Sequence, residues 1–292
     1  MGNLDDSAGP SAAPNHAVTI KRLTDPILMN AILNDADTVD TAEPVTPQWT
    51  AVLLDTARQA KTAALQDVSR ASPACTEAFD RLQRHAGRLG ALDLDRALED
   101  RNVALAFWIN LYNAMVIHGA LRHNVRRTVT EVRGFFKRTV YRVGCQRFSL
   151  DAIEHGILRQ NRGHPLRLGI SQFPVGDARR RWVLRPMDRR IHFALNCGAR
   201  SCPPIRHYEP SRIDEQLALA AAGFVSQSVT VSNDTGEVLM SRLFLWYARD
   251  FGWSKRAQLA SAVSYLEPDQ RAPIIPAARN GIRYSRYDWS FA

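Results

Sequence analysis

The sequence predicts one α+β domain from about residue 46 to the C-terminus, with a central buried helix packed on a small, mostly antiparallel sheet. Three observations predict it. Residues 105–121 are apolar nearly all round a helical wheel, the pattern of a helix enclosed by protein. Short aromatic and β-branched runs near 140–148, 229–240 and 282–289 are bounded by Gly, Asn and Asp, as strands are. At 292 residues, 45% hydrophobic and 23% charged, the composition is that of a globular domain, and no internal repeat breaks it up.

The elements follow in order. Residues 1–45 begin Ser-, Ala- and Pro-rich and end in an acidic linker at Pro44, which predicts a disordered or loosely attached tail. Trp49, Val52, Leu53 and Ala57 then repeat at helical spacing. A second helix fits 76–86, with Phe79 and Leu82 on one face, and a short third fits 94–98. In the central helix the polar exceptions Asn110, Asn113 and His118 span an arc of about 140°. Buried amides and imidazoles need partners, so this arc faces either a core network or a site.

Residues 133–148 read as a basic β-hairpin turning at Gly144, with Cys145 incidental to it. Residues 150–159 read as a short amphipathic helix with Ile153, Ile157 and Leu158 inward. Asp151 and Glu154 there have capping-box spacing. Residues 160–187 form a long basic loop, a length typical of lids and binding loops. An apolar strand over 190–196 then exits at Asn196-Cys197-Gly198 and is stopped by Pro203-Pro204. Ser211 is placed to cap a helix running to about Phe224. A hairpin turns around residues 233–236, helical segments fit 243–251 and 257–266, and an aromatic strand closes the chain.

The net charge of +9 is mostly arginine, in clusters at 126–127, 133–142, 179–181 and 189–190. Such a surface suits an acidic partner, and with no nucleic-acid motif beside it, nucleic acid is not expected. No uninterrupted apolar run reaches about 18 residues, so no transmembrane segment is expected. The first residues carry no secretion signal, which places the chain in the cytoplasm, or outside it if a leader has been removed. Four cysteines are too few for a disulfide-built fold.

Reactive side chains are densest in residues 190–204. Cys197 is the candidate nucleophile, with Arg190 and Arg200 favouring its thiolate. His155 is the expected base, with His118 and His192 as substitutes. On an extended strand the five-residue spacing would send His192 and Cys197 to opposite faces. Glu154 and Asn113 are the candidate orienting groups, and Asn110, Arg159, Arg190 and Arg200 the substrate-binding ones. No cofactor is expected. Zinc is disfavoured because Cys197 and Cys202, even with His192 or His207, have no second paired spacing.

The segments AFWINLYNA (106–114), LDAIEHGILR (150–159), RIHFALNCGARSCPP (190–204), LFLWYARDFG (243–252) and IRYSRYDWSF (282–291) together resemble the domain of unknown function 547 family, DUF547. The resemblance covers about residues 46–292 and brings no established reaction with it. The predicted layout is of the papain or transglutaminase kind, where amides orient a base or bind an oxyanion. The expected function is therefore a cysteine-dependent hydrolase or acyltransferase acting on a peptide- or amide-like substrate. The alternative is a non-enzymatic module binding an acidic protein partner through its arginine-rich face, with Cys197 and Cys202 structural or redox-active.

Overall fold

The computed structural model describes residues 32–35, 44–67, 69, 70, 72–165 and 170–291. Leu53, Leu54, Ala57, Ala60 and Ala64 form the buried stripe of helix α1 (Trp49–Gln66). Helix α2 (Pro73–Gly87) is capped by Ser72, whose Oγ accepts from the Cys75 amide at 3.3 Å. Asp93 caps the short α3 (Leu94–Ala97), and Asp100 caps α4 (Arg101–Arg122). Every residue of α4 from Ala104 to Leu121 is buried.

By length and composition α4 could cross a bilayer, but here protein encloses it. Its principal neighbour is α1, and the hairpin over 140–149 also packs on it, Tyr141 against His118 and Phe148 against Trp108 with ring centroids 5.6 and 4.8 Å apart. Part of the expected tail belongs to this body. The Leu33 amide donates to the Val140 carbonyl at 2.9 Å, and Asn34 Nδ2 donates to Arg142 O at 2.7 Å. Residues 1–31 and 36–43 lie outside the described residues.

The basic segment expected as a hairpin is half helix. Helix α5 (Phe135–Arg138) precedes strands β1 (Val140–Val143) and β2 (Gln146–Ser149), which pair antiparallel through the turn at Gly144. Next comes a π-helix over Ala152–Leu158, with five-residue bonds from Arg159 N to Glu154 O and from Asn161 N to Gly156 O. All seven of its residues are buried, so it is not amphipathic. Asp151 is itself helical and its side chain caps nothing, so the expected capping box is absent and Glu154 is left for other partners. Asn161 closes the neck of the following loop by exchanging two hydrogen bonds with the Phe173 backbone. Residues 166–169 of that loop lie outside the described residues.

The expected strand over 190–196 is a 3₁₀-helix, Arg189–Phe193, running into irregular backbone. Asp188 caps it by accepting from the Arg190 amide at 2.9 Å. The reason is burial on several sides. Ile191, Ala194 and Leu195 enter one hydrophobic cluster with α1 and α4, while Phe193 enters a second. An apolar run enclosed in this way has no periodicity to separate strand from helix.

Helix α6 (Ile213–Ser228) follows a turn at Pro210–Arg212 that contains Ser211, which therefore does not cap it. Strands β3 (Val229–Val231) and β4 (Val238–Met240) form the expected antiparallel hairpin. Helices α7 (Arg242–Trp246), α8 (Ala248–Phe251), α9 (Lys255–Val263) and α10 (Pro268–Ala277) come next. The last of these carries internal prolines and was not foreseen. Strand β5 (Ile282–Tyr284) then pairs parallel to β4. The fold is α+β, with two small sheets set against a mainly helical body.

Candidate functional site

The two hydrophobic clusters meet along residues 189–197, and a cleft of about 280 Å³ opens at that seam. The π-helix and the Asp151 that precedes it supply Asp151, Glu154 and His155 to it, the 189–197 segment supplies His192 and Cys197, and α7 with Tyr247 supplies the far wall. Tyr287 and Trp289 arrive because the C-terminal segment is laced to the cysteine loop. Arg200 N donates to Ser290 O at 2.8 Å, Ser201 N donates to Asp288 O at 3.2 Å, and Ala199 bridges Phe291. Trp246, Tyr287 and Trp289 stack on one another with centroids 4.6–5.4 Å apart.

A buried polar network forms one side of this cleft. Asp250 Oδ2 accepts from Arg159 Nε at 2.6 Å and from His192 Nε2 at 2.9 Å, while Oδ1 accepts from Arg162 at 2.7 Å. Burial works to raise the Asp250 carboxyl, but the bonds and charges of His192 and Arg159 outweigh it and hold the group well below the usual range. Glu154 accepts from the Tyr112 hydroxyl at 2.9 Å and from the Tyr247 hydroxyl. Against its burial, His155, the Tyr247 bond and Arg159 hold Glu154 below its ordinary value. Both carboxylates are therefore ionised and acceptor-only.

Three histidines line the cleft, with His164 set edge-on to His155 at 5.1 Å, and His155 and His192 are not equivalent. His155 is pushed down to about 4, first by burial and then by the Arg159 charge, with Glu154 opposing. Arg159 Nη1 lies 3.0 Å from His155 Nδ1. An arginine only donates, so the lone pair of His155 is taken and its proton sits on Nε2. His192 is lowered by burial, with Asp250 opposing, and is also neutral. Because His192 Nε2–H donates to Asp250, its lone pair is on Nδ1. Of this pair, His192, stacked on Tyr247 at 4.0 Å, is thus the imidazole with a nitrogen left to act as a base. Its assignment to the face away from Cys197 fails because the segment is not a strand, and both residues line the cleft.

Cys197 and Cys202 are joined as a disulfide. The Tyr287 hydroxyl lies 3.3 Å from Cys197 Sγ and 3.0 Å from Cys202 Sγ, and the Cys197 amide donates to Cys202 Sγ at 3.0 Å. In this state Cys197 is not a free thiolate, which corrects the expectation of a nucleophile ready as it stands.

Of the residues singled out in the sequence, the fold brings Cys197, His155, Glu154 and His192 together, with Arg159 behind them. Asn113 is spent on backbone, donating to Ala194 O at 3.0 Å and accepting from Asn196 N at 2.9 Å, so it shapes the cysteine segment and orients no base. Asn110 does the same for Tyr208. His118 is buried against Tyr141 outside the cleft. Arg190 is paired with Asp188 and Asp214, which raise it, and does not line the cleft. Arg200 borders a neighbouring cavity. Sequence reasoning missed Asp250, the tyrosines 112, 247 and 287, and the Trp246–Trp289 wall. Tyr247 and Asp250 stand in the quoted 243–252 segment, which offered the signal, but nothing local ties them to His192.

Among the described residues no group of three or more His, Cys, Asp or Glu side chains is arranged to hold a metal ion. Neither the curated proteins nor the solved structures include a match to this chain. The family model described as protein of unknown function, DUF547, matches residues 96–225, a span that contains the central helix, the π-helix and both cysteines of the bridge. Over that span the chain is similar to the DUF547 family.

Proposed function

We propose that the cleft is the active site of a cysteine-dependent hydrolase or acyltransferase acting on a peptide- or amide-like substrate, with Cys197 the nucleophile once its bridge to Cys202 is reduced. The observation that carries the proposal is that His192, held from behind by Asp250, lines the same cleft as Cys197. His192 Nδ1 takes the Sγ proton, and Asp250 holds the ring and favours the imidazolium that forms. The thiolate attacks the substrate carbonyl, and the imidazolium returns the proton to the leaving amine. Water or an acceptor nucleophile then releases the acyl group. His155 Nε2–H and the Tyr287 hydroxyl are the donors available for the oxyanion. The papain or transglutaminase kind of layout belongs to this proposal too, since cysteine, histidine and carboxylate meet beside a long buried helix.

The test is iodoacetamide labelling of the reduced protein across pH, with the modified cysteine located by mass spectrometry. Cys197 is expected to titrate well below the free-thiol value of about 8.5. His192→Ala is expected to return it towards that value, and His155→Ala is not. An ordinary pKa for Cys197 in the reduced wild type would overturn the proposal.

A further inference from the structure

Cys202 borders two cavities, whereas Cys197 lines only the cleft. The second cavity, about 290 Å³, is lined by Arg200, Arg206 and Arg286 and by no carboxylate. None of these three arginines forms an ion pair among the described residues. Asp288 feels the Arg200 charge, but it accepts from Ser290 Oγ at 2.6 Å and lies outside the lining. Ser228, at the end of α6, also lines the cavity, and its buried Oγ has no hydrogen-bond partner. Three exposed arginines and an unsatisfied hydroxyl lining one cavity suit an anionic ligand with carboxylate oxygens.

We propose that this cavity binds a small anionic thiol, which reduces the Cys197–Cys202 bridge from the Cys202 side. The proposal rests on the reading of Cys197 as the nucleophile of the cleft, and it supplies that reading with a control. The bound thiolate attacks Cys202 Sγ, the S–S bond breaks, and the electron pair leaves on Cys197 Sγ, which has the Tyr287 hydroxyl beside it. A second thiol attacks the ligand sulfur of the mixed disulfide and frees Cys202. Two thiols are thereby oxidised to one ligand disulfide, and their two protons end on the two cysteines. The arginines act by concentrating the anion beside the sulfur that must be attacked.

The experiment uses the full-length oxidised protein. Glutathione, which carries two carboxylates, is compared with the cationic thiol cysteamine at matched thiolate concentration. Bridge opening is followed by iodoacetamide trapping of Cys197. Glutathione is expected to act at least ~10-fold faster at low salt, to lose that advantage at high salt, and to form its mixed disulfide on Cys202. The combined variant Arg200→Gln, Arg206→Gln and Arg286→Gln is expected to remove the advantage while leaving reduction by uncharged dithiothreitol unchanged. Equal rates for the two thiols, or a glutathione adduct on Cys197, would overturn the proposal. The Cys197 pKa in dithiothreitol-reduced protein tests the enzyme reading separately. An ordinary value alongside a clear anionic preference would remove that reading and leave the thiol site standing.

Discussion

His192 and Asp250, 58 residues apart in sequence, meet Nε2 to Oδ2 at 2.9 Å inside the protein. The same carboxylate also holds the buried Arg159, so a single aspartate sets the tautomer of His192 and neutralises a buried cation.

Asp250→Asn should therefore be costly. It leaves Arg159 buried with no carboxylate on its Nε, and breaking a buried pair in this way costs about 3–5 kcal/mol. Urea denaturation at pH 7 measures the loss. The pH dependence carries a sign as well. The folded Asp250 carboxyl lies below its unfolded value, so its stabilisation is complete above about pH 4 and is lost as pH falls through the folded value. The Asn variant should lose less stability than the wild type on acidification below pH 4. Equal losses would show that Asp250 is not the group responsible.

His118 gives a pH dependence of the same sign over a higher window. Burial first, then Arg122 and His123, push it down to about 3 in the folded state, against about 6.5 when unfolded. Between those values the unfolded chain binds the extra proton, so stability rises with pH across the window and is level above it. The expected slope from this residue is about 1.4 kcal/mol per pH unit below pH 6.5. Unfolding curves at pH 7, 6 and 5 should show His118→Gln with a shallower slope than the wild type, by about one proton. An unchanged slope would mean that His118 is charged in the native protein.

Gly156 tests the π-helix. A Cβ there would stand 2.3 Å from two ring atoms of Phe173, a buried side chain in the loop that Asn161 closes. Gly156→Ala should cost about 1–3 kcal/mol through overpacking. Adding Phe173→Leu should recover part of it, because the ring is the obstacle. If the two losses simply add, the clash is not the cause.

The sequence by itself determined the helices whose apolar stripes are local. The α1 stripe, the enclosed α4 and the hairpin at Gly236 need no distant partner to be read. It also determined which reactive residues were worth following, since Cys197, His155, Glu154 and His192 all reached one cleft. Tertiary structure decided the rest, because burial from several sides removes the periodicity that separates strand from helix. Residues 190–196 became a 3₁₀ turn between two cores, and the 150–159 segment became a fully buried π-helix whose Glu154 turned to two tyrosines instead of a backbone cap. Distance along the chain hid the partners that assign the chemistry. His192 is the base candidate only because Asp250 takes its Nε2–H, and His155 is not because Arg159 takes its Nδ1. Those choices are hydrogen-bond geometry between segments, and no spacing in one segment encodes them.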